Sequence, residues 1–150
     1  MEENGDEPGR RIVSVVHLAM LAAVAIYAIL LLLVRGNAAL APGPPGRPNF
    51  VFLLFSIGAA QWGAATIIGG ILLRRGGPGA GAAERVRRFF LVRFAAAEAI
   101  GVFGLVAGWT GESRGGAFLL LSAGALALLA SSPTRTAYRR ALEQTRAGGR

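Results

Sequence analysis

From Ile12 to Val34 the chain runs 23 residues without a charged side chain, and from Phe50 to Leu73 it runs another 24. A helix that crosses a bilayer needs about 20 consecutive, mostly apolar residues. Both runs therefore have the length and character of transmembrane helices. A third run, Phe89 to Trp109, is also long enough, although it holds Arg93 and Glu98. A fourth, from Ala117 to Ala130 or Ser131, is shorter and lies between Gly115-Gly116 and Ser132-Pro133. It can span by drawing on Thr110 to Arg114 or by thinning the bilayer. The first run is too long for a cleavable signal peptide, and no small-residue cleavage site precedes a soluble domain. The expected fold is an all-α, polytopic membrane protein with four transmembrane helices. Residues 1–11 form a polar tail, 12–131 the membrane domain with spans at about 12–34, 50–73, 89–109 and 117–131, and 132–150 a basic tail.

Composition narrows the chemistry further. The chain is 53% hydrophobic and 16% charged, against roughly 25% charged in soluble domains. It has no cysteine, which removes disulfides, thiolate metal sites and cysteine nucleophiles. A single histidine, His17, cannot build a multi-histidine metal site. The only aspartate, Asp6, lies in the N-terminal tail, so a serine–histidine–aspartate triad is excluded. An intramembrane hydrolase using Ser56 and His17 shows no oxyanion signal. We expect no catalytic residue, no metal, no cofactor and no enzymatic activity.

All 16 basic residues are arginines, and their placement sets the orientation. Short cytoplasmic loops retain basic residues, whereas short translocated loops lose them. Arg10 and Arg11 precede the first span, and Arg74, Arg75, Arg85, Arg87 and Arg88 separate the second from the third. Arg135, Arg139, Arg140, Arg146 and Arg150 follow the fourth. That places twelve arginines on one side, against Arg35, Arg47 and Arg114 on the other, so both termini are expected to be cytoplasmic. Arg74, Arg75, Arg87, Arg88, Arg139 and Arg140 would lie at one membrane interface, and Trp109 at the other. The charge is spread over loops without an aromatic platform, which speaks against nucleic-acid binding. Ala41 to Asn49 is Pro/Gly-rich and reads as a stiff external loop. Gly76 to Gly81 lacks the strand and lysine of a phosphate loop and reads as a flexible linker. After Pro133 the tail predicts a short helix with Ser132 as N-cap. Ala137, Tyr138, Ala141, Leu142 and Thr145 form its apolar stripe, suited to a membrane surface or a partner, although an isolated helix this short is marginal in water.

Four polar residues fall inside the apolar runs: His17, Gln61, Arg93 and Glu98. A charge at the centre of an isolated membrane helix costs at least ~2.5 kcal/mol on insertion scales. Arg93, roughly six residues or ~9 Å from the centre of its span at 1.5 Å rise, can snorkel to the headgroups. Glu98 and Gln61 both lie near the midplane, and adjacency of their helices makes Gln61 the expected hydrogen-bond partner of Glu98. Ala97, Gly101, Gly104 and Gly108 form a small-residue face on the third span, and Ala59, Gly63, Thr66 and Gly70 form one on the second. Small faces of this kind let helix backbones approach closely.

The segment Ala96-Ala97-Glu98-Ala99-Ile100-Gly101-Val102-Phe103-Gly104-Leu105-Val106 resembles the carboxylate-bearing helix of the proteolipid c subunits of rotary ATPases. Ser56 to Gly70 is similar to the Gly/Ala-rich inner helix of that hairpin. The resemblance implies that Glu98 is an ion-carrying acid, assisted here by Gln61. Ala25 to Leu30 looks like a degenerate copy of the carboxylate helix; aligning Tyr27 with Phe103 puts Ala22 where Glu98 stands. Two functions follow as expectations. The first is a small accessory or scaffolding subunit that packs by its Gly/Ala faces into a larger membrane complex. The second is a proteolipid-like proton or cation carrier using Glu98. The first is preferred, because no second acid lies deep in any span to continue a relay. The expected partners are the lipid bilayer and other membrane subunits, or further copies of the chain. Arginine-only basicity with high Ala and Gly suits a GC-rich bacterial genome, so the expected location is the bacterial inner (cytoplasmic) membrane.

Overall fold

The computed structural model describes residues 7–35, 50–75, 81–110 and 114–147. They form five α-helices: α1 (Glu7–Arg35), α2 (Phe50–Arg75), α3 (Ala82–Trp109), α4 (Arg114–Ala130) and α5 (Arg135–Ala147). The linkers at 41–49 and 76–80, the extreme ends, and the Arg75 side chain lie outside the described residues. Helices α1, α2 and α3 are each long and apolar enough to cross a membrane. Helix α4 has 17 residues, about 25 Å at 1.5 Å per residue, which falls short of a hydrocarbon core of about 30 Å. Together with α5 it makes a fourth candidate, bent by 65° at the break between them. The structure thus carries three to four candidate spans, consistent with a multi-pass membrane protein.

Helix α3 is the hub, packed against each of the other four helices. On α1, His17, Val24 and Leu31 meet Phe94, Gly101 and Gly108 of α3. Both series advance by seven residues in the same direction. The two helices are therefore parallel, with the 3.5-residue seam of a coiled coil, and glycine at two of the three levels makes room for the α1 side chains. Gly58 of α2 lies against Ile100 and Phe103, and Gly69 against Phe89, so α2 runs antiparallel to α3. Helix α4 is antiparallel too: Gly104 of α3 faces Ala117 and Leu121, while Gly124 of α4 faces Ala97 and Gly101.

This alternation brings the start of α1, the end of α2, the start of α3 and α5 to one end of the bundle. That end carries Arg10, Arg11, Arg74, Arg85, Arg87 and Arg88 together with the arginines of α5. Glu84 pairs with Arg87 and Arg88 on the first turns of α3, where i,i+3 and i,i+4 pairs extend a helix beyond its apolar run. Large apolar side chains cover the outside of the bundle, among them Leu33, Phe52, Ile67 and Leu126. Such a surface suits lipid rather than water.

Helix α4 ends because Pro133 has no N–H to donate to the preceding turn. The last turn tightens, with Ser131 N–H reaching the carbonyls of Ala127 and Leu128 and Ser132 N–H that of Leu129. The cap of α5 is Thr134 rather than the expected Ser132: its hydroxyl oxygen accepts the Ala137 N–H at 3.2 Å, and the helix begins at Arg135. The predicted stripe is buried at Tyr138, Ala141, Leu142 and Thr145, and it is buried inside the chain itself. The Tyr138 ring stacks on Phe90 with centroids 6.1 Å apart and planes 11° apart, and its hydroxyl also reaches Gly9 at the start of α1.

Candidate functional site

Glu98 lies half-buried on the flank of α3 that borders α1. Its Oε1 accepts a hydrogen bond from the Tyr27 hydroxyl at 3.2 Å. Gln61, the partner expected from the sequence, makes no hydrogen bond to it and is exposed on α2. The reason is angular. Residues two apart on an α-helix point about 200° apart at 3.6 residues per turn, and Ile100 already faces α2, so Glu98 faces away from it. Tyr27 also borders Gly101, whose missing side chain leaves room for the phenol ring. A phenol on α1 thus supplies the donor to this carboxyl of α3.

The small face of α3 is used in full, with Ala97, Gly101, Gly104 and Gly108 all buried. Its partners are α4 and α1, not the small face of α2. A methyl group built on Gly124 would lie 2.7 Å from Gly101 N and 3.1 Å from Ala97 O, so α3 and α4 meet backbone to backbone. Helix α2 instead buries Leu54, Gly58, Ala65, Gly69 and Leu73. Ala59 is exposed, and nothing lies within 4 Å of the position of a Cβ on Gly63 or Gly70. The small flank of α2 is therefore uncovered.

His17 is buried and ties α1 to the bend, its Nε2 donating to the Leu128 carbonyl at 2.9 Å, with its ring 5.0 Å from that of Phe94. That bond requires the proton on Nε2. Ser56, turned outward, donates to Phe52 O on its own helix, so the two residues share no site. Arg93 directs its guanidinium along α3 toward the basic end, 5.4 Å from the Phe89 ring, and 5.7 Å from the Trp62 ring of α2. Among the described residues no group of three or more His, Cys, Asp or Glu is placed to hold a metal. Trp109 is 71% exposed at the end of α3, and Arg74, Arg88, Arg139 and Arg140 are exposed at the opposite end.

Sequence reasoning missed Tyr27, Trp62 and Gly124. The seven-residue match between His17, Val24, Leu31 and Phe94, Gly101, Gly108 was the available signal for the first, because it puts Tyr27 and Glu98 along one seam, within about two turns of each other. Chemically, the arrangement offers a half-buried carboxyl with a phenolic donor, a guanidinium near two aromatic rings with no ion pair among the described residues, and an uncovered small-residue flank. No family model, curated protein or solved structure matches this chain.

Proposed function

We propose that the chain is an integral-membrane accessory subunit, without turnover of its own, that packs a partner transmembrane helix against the outer flank of α2. The supporting observation is the contrast between two small-residue faces. That of α3 is consumed by α1 and α4, whereas on α2 Ala59 is exposed and a Cβ added at Gly63 or Gly70 would meet nothing within 4 Å. Association between membrane helices draws on close van der Waals packing, which small residues permit, so an uncovered face of this kind suits a docking helix. In this reading both termini are cytoplasmic and the membrane is the inner membrane of a bacterium, with the arginine-rich end inside. Purification in mild detergent with mass spectrometry of co-migrating subunits tests it. A defined complex, lost in Gly63→Leu and Gly70→Leu variants that remain folded, is the expected result. A parent chain that migrates at the mass of a single copy, with or without these substitutions, refutes it.

A second reading rests on the Tyr27–Glu98 bond, since midplane carboxyls commonly serve ion movement. In a carrier, Glu98→Gln assembles normally yet abolishes proton or cation flux into reconstituted vesicles. In an accessory subunit the same substitution leaves the function of the complex unchanged.

A further inference from the structure

We infer that the basic half of the α2–α3 seam is a binding site for a phosphate group, received by Arg93 and the Trp62 indole N–H with Arg85 at its outer edge. Three buried donors find no acceptor among the described residues: Trp62 Nε1, Arg85 Nε and Arg93 Nε. Buried polar groups in folded proteins are nearly always satisfied, so three orphan donors on one seam call for an acceptor from outside. Arg85, Phe89 and Arg93 follow at four-residue intervals and share one stripe of α3. Phe89 of that stripe lies on Gly69 of α2, which fixes the stripe at the α2 seam. The Arg93 guanidinium lies 5.7 Å from the Trp62 ring centroid and 5.4 Å from that of Phe89. Two rings hold the cation in place, yet no carboxylate pairs with it among the described residues.

A half-buried guanidinium without a counter-ion is costly, and a planar fork flanked by aromatic rings is suited to bidentate phosphate recognition. Depth bears on the carrier of that phosphate. Arg93 lies roughly 9 Å from the centre of its apolar run, inside a hydrocarbon half-thickness of about 15 Å. Its side chain runs back along Phe89 toward the basic end but stays 5.7 Å from the ring of Trp62, next to the near-midplane Gln61, so the guanidinium remains below the headgroup boundary. A phospholipid phosphate reaches it by local thinning of the bilayer around the buried charge, and basic pockets between membrane helices hold anionic headgroups. A free phosphate entering from water presents the same oxygens.

The test is thermal stabilisation of the whole purified chain in a non-ionic detergent, with native mass spectrometry of retained lipid. The added probes are phosphatidylglycerol, phosphatidylcholine and inorganic phosphate. Stabilisation and retention by phosphatidylglycerol over phosphatidylcholine are expected, and they fall at least about ten-fold in apparent affinity in Trp62→Phe and in Arg93→Lys, each of which removes one donor to a charged group. Both substitutions keep side-chain bulk, and the unliganded melting temperature reports whether each variant folds. Arg140→Gln, on the exposed face of α5, controls for general surface attraction and leaves binding unchanged. Competition by millimolar inorganic phosphate assigns the site to free phosphate, and failure of that competition assigns it to lipid; both outcomes preserve the phosphate chemistry. Equal effects of phosphatidylglycerol and phosphatidylcholine, or folded Trp62→Phe and Arg93→Lys variants that bind like the parent, overturn the inference.

Discussion

Replacing Gly124 by alanine probes the closest backbone contact in the bundle. The added methyl carbon would lie 2.7 Å from Gly101 N and 3.1 Å from both Ala97 O and Gly101 Cα, whereas comfortable carbon contacts begin near 3.5 Å. Helix α4 must therefore retreat from α3 by roughly 0.8 Å at that level to restore ordinary contact. The obstacles are backbone atoms, so no rotamer change relieves the clash. Overpacking of this kind costs about 1–3 kcal/mol, and the better helix propensity of alanine returns at most about 1 kcal/mol. The expected net effect is a loss of up to about 3 kcal/mol. Gly70→Ala is the matched control: nothing lies within 4 Å of its added carbon, so only the propensity gain of zero to about 1 kcal/mol remains. Gly108→Ala should fall between the two, because the atoms it meets belong to the movable Leu31 side chain. Unfolding midpoints in mixed micelles of mild detergent and sodium dodecyl sulfate, followed by circular dichroism, measure all three. A Gly124→Ala protein at least as stable as Gly70→Ala would refute backbone contact between α3 and α4.

Reporter fusions after Arg150 and within Gly76 to Gly81 should read cytoplasmic, and those within Pro42 to Pro48 external; reversal at both basic positions would sink the orientation argument. Tyr27→Phe removes one interhelical hydrogen bond while keeping the ring, so it should lower the unfolding free energy by about 0.6 kcal/mol, the mean for such bonds in membranes. A neutral result would mean that the bond to Glu98 carries no weight in the fold. Tyr138→Ala strips α5 of its stacked ring, with an expected cost of about 3 kcal/mol by analogy with buried aromatic truncations. Limited proteolysis should then cut the chain between Ser131 and Arg135 faster than in the parent, and an unchanged cleavage rate would contradict docking of α5.

The helices were legible from the sequence because their signal is length and charge content, which need no partner to interpret. Which faces meet was legible only in part. The Gly/Ala face of α3 could be read as buried, but not what buries it: neighbours in sequence suggested α2, and the true partner of Gly104 and Ala97 is α4, whose Gly124 sits unremarked in a run of Ala and Leu. The error at Glu98 has the same source. Loop connectivity makes α2 and α3 adjacent but says nothing about rotation about their axes, and a shift of two residues turns a side chain to the opposite flank. Tyr27 is 71 residues from Glu98, so their approach is legible only through the seven-residue match between α1 and α3, not from the neighbourhood of either residue. The end of the fourth apolar run before Pro133 and a short helix after it were legible, while the cap of α5 was misplaced by two residues because Ser132 and Thr134 are both competent caps.

The docking of α5 bears on the order in which the bundle can close. The segment from Tyr138 to Thr145 is made after the four helices it follows, yet it reaches the first turn of α1 at Gly9 and the outset of α3 at Phe90. Until that segment has been made, α1 and α3 have no clasp at their basic end. Closure therefore waits for α5 and ties together elements far apart in the chain. A chain interrupted before Tyr138 lacks the clasp and leaves Phe90 without the ring that stacks on it.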